Sequence, residues 1–208
     1  MSPGQNQRAL LVIDVQNEYA NGSLPIEFPD RAVALDNIGH AMDAARAAAI
    51  PVVVVQQIAP ADAPLFARGS EGAALHTVVT SRPYDLHIEK HLPSALTGTK
   101  LGNWLRERGI GTLTVIGFMT QNCDDSTIRQ AVHEGWNVEF LHDASGAVSY
   151  KNSAGYASAE EIHRVFSVVL QSRFAATMTT RAWLELIRQG GMPERDSIYQ
   201  SSRRARKE

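Results

Sequence analysis

The sequence predicts one α/β domain, a three-layer α/β/α sandwich around a six-stranded, mainly parallel sheet. Three observations carry that prediction. Short apolar runs, Ala9–Ile13, Pro51–Val55 and Leu113–Gly117, are apolar on consecutive positions and so suit strands covered on both faces. Longer patterns with helical spacing separate them, which implies parallel strands joined by right-handed crossovers. Finally, no repeat, linker or low-complexity stretch divides the 208 residues, a length that supports one full core.

In chain order, the polar lead MSPGQNQR precedes the first strand, which ends at Asp14. Asn21-Gly22-Ser23 is a turn, and Pro29-Asp30 introduces an Ala-rich helix over 31–49 with Val33, Ile38, Met42 and Ala45 as its apolar stripe. The valine-rich second strand follows. From Gln56 to Pro83 regular patterning is lost, and connections this long are usually lids or binding loops. A third strand is expected over Tyr84–Glu89, ending at Lys90, then a helix over Leu101–Arg108 closed by Gly109. The fourth strand breaks at Gly117, and a helical run over Ser126–Gly135 begins just after Cys123. Strand five is expected over Asn137–Leu141, with an irregular piece over 144–156 after it. Ser158-Ala-Glu-Glu161 has the form of a capping box for a helix over Ala159–Phe174. A short sixth strand, Ala175–Met178, and a helix over Arg181–Gln189 complete the domain, with residues 1–8 and 192–208 expected to be flexible ends.

Composition excludes several classes. Hydrophobic residues at 44% and charged residues at 20% describe a globular chain. A formal net charge of −2 offers no field for nucleic acid or an anionic membrane, and the basic run Arg203–Lys207 reads as a solvated end. The polar start and the lack of any long apolar run point to the cytoplasm, where a single free cysteine stays reduced.

That cysteine, Cys123, is the main chemical clue. It lies at a strand-to-helix turn, where free N–H groups are expected to stabilise a thiolate and could receive an oxyanion. Asp14 and Lys90 end two other strands, and ligands of open α/β sheets collect at that edge. A carboxylate, a cation and a thiol gathered there could move protons, hold a thiolate and attack a carbonyl. His76, His87 and His91 make no compact ligand set, so no metal and no other cofactor is expected.

Four segments, LLVIDVQNEY at 10–19, EKHLPSALTGTKL at 89–101, VIGFMTQNCDDSTIRQA at 115–131 and HDASGA at 142–147, resemble the isochorismatase-like cysteine hydrolase family. By that resemblance the fold is isochorismatase-like, Asp14 is general base and acid, Lys90 the supporting cation and Cys123 the nucleophile. It also implies a cis peptide at Phe118-Met119, an oxyanion hole from the N–H groups of Met119 and Cys123, and homo-oligomers. Nicotinamidases of the family carry an Asp-x-His metal motif after the second strand, where this chain reads Gln56-Gln57-Ile58-Ala59. Asp124 stands where the family has an apolar residue and is expected to point away from the thiol. Tyr19, Phe66, Phe118, Tyr150 and Asn152 are the candidate pocket walls.

The resulting expectation is metal-independent hydrolysis of a C–N bond in a small amide or ureide through a thioester. One alternative is vinyl-ether hydrolysis of isochorismate, for which Arg68, Arg82 and Lys100 are candidate contacts. Others are a non-catalytic binding protein on the same fold and a thiol-redox protein, the latter weakened by the absence of a resolving cysteine.

Overall fold

The computed structural model describes residues 4–207. In chain order the elements are β1 (Gly4–Ile13), α1 (Asn17–Ala20), α2 (Arg31–Ala47), β2 (Val52–Gln57), α3 (Thr77–Thr80), β3 (Leu86–Lys90), α4 (Leu101–Glu107) and β4 (Ile110–Phe118). One turn of π-helix, Thr120–Asp124, then runs directly into α5 (Asp125–His133). There follow β5 (Asn137–Gly146), the hairpin β6 (Tyr150–Asn152) and β7 (Gly155–Ala157), α6 (Ala159–Arg173), β8 (Ala176–Met178), α7 (Thr180–Arg188) and α8 (Ile198–Ala205).

Six strands form one all-parallel sheet in the order β3-β2-β1-β4-β5-β8. Alternate residues of the central strands feed two cores. Leu11, Ile13, Val53, Val55, Leu113 and Val115 pack with Leu101, Leu105, Ile128 and Leu170 of α4, α5 and α6. Leu10, Val12, Val52, Val54 and Ile116 pack on the other face with Ile38, Met42 and Trp183 of α2 and α7. The chain winds outward from β1 to β3, returns to β4 beside β1, and winds the other way. The point of reversal therefore lies between β1 and β4, which is where such sheets open a crevice.

Several expectations change at the edges. β5 continues five residues past Leu141, because it pairs again with β4 through Gly117–Ser145 and Phe118–Gly146 after an irregularity in register. The segment 144–156, expected to be irregular, contains the end of β5 and a two-stranded hairpin. In the long connection after β2, Thr77–Thr80 form a helical turn capped by the His76 ring, which accepts from Val78 N–H. The capping box is present: the Ser158 side chain accepts from Glu161 N–H, and Glu161 accepts from Ser158 N–H.

Of the ends expected to be flexible, residues 1–3 and 208 lie outside the described residues. Within these ends β1 begins at Gly4 and α8 forms over Ile198–Ala205, while residues 192–197 have no regular structure. Ser197 caps α8 by accepting from Gln200 N–H.

Two devices hold the sheet centre. Gly117 has φ +115°, and a Cβ there would stand 2.0 Å from the Ile13 carbonyl oxygen, so only glycine permits β4 to approach the end of β1 this closely. Nearer the beginnings of the same strands, buried Glu139 of β5 accepts from Arg8 (Nη2 2.9 Å), Thr114 Oγ1 (2.7 Å) and Trp183 Nε1 (2.9 Å). It ties β1, β4, β5 and α7 together with one carboxylate. Removing it strands a buried guanidinium, so Glu139→Ala should lower the unfolding free energy in urea by about 3–5 kcal/mol. A loss below about 1 kcal/mol would show that the cluster is solvated instead.

Candidate active site

Asp14 is the first residue beyond β1, and its backbone takes φ +51°, which turns the chain off the strand while its N–H still donates to Val55 O at 2.9 Å. Lys90 ends β3, two strands away, and its side chain reaches back across β2. Its Nζ lies 2.7 Å from Asp14 Oδ2 and donates to Cys123 Sγ at 3.2 Å and to Gln57 Oε1 at 2.8 Å. The ammonium thus fills the gap between the base of the crevice and the turn after β4. Asp14 and Lys90 are 0% and 1% exposed and Cys123 is 3% exposed, so bulk water does not screen these charges.

A pair of glutamines, absent from the candidates read from sequence, fixes this cation. Gln16 is fully buried, and its amide donates to the carbonyls of Gln57 (2.9 Å) and Ala73 (2.7 Å) while accepting from Gln57 N–H (2.9 Å). That locks the end of β2, leaving the Gln57 side-chain oxygen facing Lys90. The signal in the sequence is Gln16-Asn17 and Gln56-Gln57 at two neighbouring strand ends, where polar side chains stand at a buried edge.

Protonation follows from burial and charge. Burial works against the Lys90 ammonium, but Asp14 and the cysteine outweigh it and hold its pKa above the ordinary value. Burial raises the Asp14 carboxyl, with the Lys90 cation opposing, so Asp14 is a stronger base than a solvated aspartate. Burial pushes the Cys123 thiol up as well, and the Asp14 charge adds to it against the pull of Lys90. The expected low-pKa thiolate is therefore corrected: the resting group is a thiol beside a carboxylate and an ammonium. The turn explains part of the difference. Asn122 and Asp124 N–H groups both donate to Met119 O, so the π-turn consumes N–H groups that a regular helix start would leave open.

Asp124 is a second correction. It is turned into the interior rather than to solvent, at 0% exposed, and Ser145 Oγ lies 2.6 Å from its Oδ2. The extended β5 is the reason, since it carries Ser145 alongside Phe118 and under the turn.

The other sequence candidates divide into two groups. Tyr19, Phe66 and Phe118 are buried together, with ring centroids of Tyr19 at 5.1 Å from Phe66 and 5.6 Å from Phe118. Burial comes first in pushing the Tyr19 phenol well up, with the nearby Asp14 and Cys123 charges adding to it, so the ring borders the reactive groups as a neutral phenol. Tyr150, on the β6–β7 hairpin, is 41% exposed, and its hydroxyl accepts from Gln121 Nε2 at 3.1 Å, which ties the hairpin to the cysteine turn. Asn152 is exposed at the hairpin tip and accepts from Ala154 N–H, the hydrogen bond of a turn residue. The Phe118–Met119 peptide preceding the turn is cis.

No group of three or more His, Cys, Asp or Glu among the described residues is arranged to hold a metal ion. The side chains near the expected position are committed to each other: His87 Nε2 lies 2.8 Å from Gln56 Oε1, and His91 Nδ1 2.7 Å from Ile58 O. The residues present do not fit a metal of the nicotinamidase kind. Nor do the candidate anion contacts converge, since Arg68 pairs with Glu89, Arg82 with Asp43 of α2, and Lys100 precedes α4.

The family model described as the Isochorismatase domain matches residues 8–182. The chain belongs to the isochorismatase family. It is a hydrolase of that family, and its sheet is the family's fold. A candidate isochorismatase from Burkholderia xenovorans LB400 is 62% identical, with a TM-score of 0.95 and coverage of 99% of this chain and 98% of that one. An uncharacterized isochorismatase family protein of Bacillus subtilis, YddQ, is 32% identical over 85% of this chain and 98% of its own length. The ureidoacrylate amidohydrolase RutB of Methylobacterium radiotolerans is 30% identical over 65% of this chain and 66% of its own.

Lys90 is the one cation that lowers the thiol's pKa here. Lys90→Met should therefore slow alkylation of Cys123 by iodoacetamide at pH 8 about tenfold or more, a shift of at least one unit in thiol pKa. Alkylation as fast as in the parent, with circular dichroism unchanged, would remove Lys90 from the site's electrostatics.

Proposed function

We propose that this hydrolase cleaves a C–N bond of a small amide or ureide through a thioester on Cys123, without a metal ion. The observation that carries the proposal is the single Lys90 ammonium in contact with both Asp14 and Cys123 in a water-poor crevice. Asp14 accepts the thiol proton as sulfur attacks the carbonyl carbon, and Lys90 balances the thiolate while it forms. The backbone N–H groups of Met119 and Cys123 serve the tetrahedral oxygen. Collapse breaks the C–N bond, and Asp14 returns its proton to the departing nitrogen. Water, deprotonated by Asp14, then attacks the thioester, giving a carboxylic or carbamic acid and restoring the thiol.

The resting thiol suits this sequence, because the proton that Asp14 removes in the first step is the one it delivers to the leaving group. Tyr19, Phe66 and Phe118 form an apolar wall, and Tyr150 reaches the turn through Gln121, which favours a small planar substrate. RutB, named for a ureidoacrylate amidohydrolase activity, supports the C–N reading. The scattered Arg68, Arg82 and Lys100 give little support to an isochorismate-type polyanion. We place the activity in a reducing cytoplasm, on a homo-oligomer acting on small molecules rather than on nucleic acid or a membrane. Among the described residues no helix is long and apolar enough to cross one.

Ammonia release from a panel of small amides and ureides, with and without a chelator, tests this. Release should survive the chelator and fall about a thousandfold or more in Cys123→Ala. Release abolished by the chelator, or undiminished in Cys123→Ala, would overturn the mechanism.

A further inference from the structure

Behind the nucleophile lies a chain of buried polar groups that the proposed reaction does not use. Asp124 Oδ2 lies 2.6 Å from Ser145 Oγ, Ser145 Oγ lies 2.7 Å from Thr120 Oγ1, and Thr120 Oγ1 lies 2.9 Å from His163 Nδ1. Asp124, Ser145 and Thr120 are fully buried and His163 is 4% exposed. Both ends titrate. One end adjoins Cys123 in sequence, and the other borders a cavity of about 540 Å³ between α6 and the segment leading into α8, lined also by Phe28, His142 and Asp196.

The surroundings of Asp124 disfavour a charge. Its Oδ1 has no hydrogen-bond partner among the described residues. The nearby cation, Lys90 of β3, is already engaged by Asp14 of β1 and by the thiol. Asp125 of α5 is paired with Arg129, and its charge acts against ionisation of its neighbour, as does that of Asp14. Among the described residues Ser145 of β5 is the only donor that reaches the carboxyl, and Tyr19 of α1 faces the site as a neutral phenol. A buried carboxylate with one hydroxyl donor and no cation of its own is expensive.

We propose that Asp124 is a positioning residue for the thiol, a neutral acid in the state that favours the thiolate, exchanging its proton with the α6 cavity through Ser145, Thr120 and His163. This rests on Cys123 being the nucleophile. In the neutral state Asp124 donates to Ser145, Ser145 to Thr120, and Thr120 to His163 Nδ1. On ionisation each proton moves one place along the chain, His163 gains one at Nδ1 and releases one from Nε2 into the cavity. Asp124 is left as a carboxylate accepting from Ser145. One proton leaves the protein and no charge other than that of Asp124 changes.

His163 suits the role of relay. Burial, reinforced by the charge of His142, lowers its pKa to about 4 against opposing pulls from a hydrogen bond to the His142 backbone and from Asp143, so it rests as a neutral ring able to accept. Burial raises Asp124 to about 7, the Ser145 hydrogen bond opposing, which puts its ionisation within the working range. A negative Asp124 next to the turn opposes formation of the Cys123 thiolate. The sign is therefore fixed: once Asp124 ionises, above about pH 7, the thiol is harder to deprotonate than it is below, although thiolate still increases with pH on both sides.

The test needs no substrate. The rate of Cys123 alkylation by iodoacetamide is followed by intact mass from pH 5.5 to 9.5 in the parent, Asp124→Asn and Ser145→Ala. The parent's rate should rise with pH, flatten near pH 7 and resume along a lower line. Asp124→Asn should match it below about pH 6 and exceed it about tenfold above pH 8, the effect of roughly one unit in thiol pKa. Ser145→Ala, which removes the bond favouring the carboxylate, should move the flattening to higher pH. A parent profile without a break, or parallel profiles for parent and Asp124→Asn, would overturn the proposal, as would an unmoved break in Ser145→Ala. Because alkylation reads the thiol alone, these outcomes stand apart from whether any amide is hydrolysed.

Discussion

The site depends on one contact, the 2.7 Å pair between Lys90 and Asp14, both buried from bulk solvent. Each charge alone would be costly there, and each is tolerable because of the other. The pair also spans the sheet: its partners end β1 and β3, and β2 runs between them. Any slip in the registry of these strands would separate the charges, so the parallel pairing of β1, β2 and β3 and the position of the pair reinforce each other. Gln57, held by Gln16, supplies the neutral oxygen that completes the ammonium's shell without adding charge.

The winding reverses between β1 and β4, and Gly117 sets how closely these two strands approach there. With no Cβ in the way, β4 closes on the end of β1 and delivers Phe118 to Asp124 over Asp14. The irregularity in β4–β5 pairing at this point lets β5 continue underneath and bring Ser145 to the turn. Local backbone geometry at one glycine therefore decides both what faces the thiol and what lies behind it.

Much of this was legible in the sequence. Asp14 and Lys90 end two expected strands and Cys123 lies in the turn that follows a third, and parallel topology puts such positions on one edge, so their meeting follows from pattern alone. Apolar runs also located all six sheet strands, because their periodicity is local. Asp124 was misread because its direction depends on β5 passing beneath the turn, a long-range pairing with no signature in the residues around Cys123. Gln16, Gln57 and His163 escaped for a related reason: each acts through a hydrogen bond to a residue distant in sequence. The protonation of Cys123 was misread because the expectation counted the helix start and not the burial or the neighbouring carboxylate.

The central claim is that sulfur becomes covalently bonded to the substrate carbonyl within this charged pocket. Intact mass spectrometry of acid-quenched enzyme, taken during turnover of whichever amide or ureide releases ammonia, tests it directly. The account predicts an acyl adduct that maps to the peptide bearing Cys123 and is released by hydroxylamine. Turnover at full rate with an unmodified cysteine, or an adduct on another residue, would contradict it.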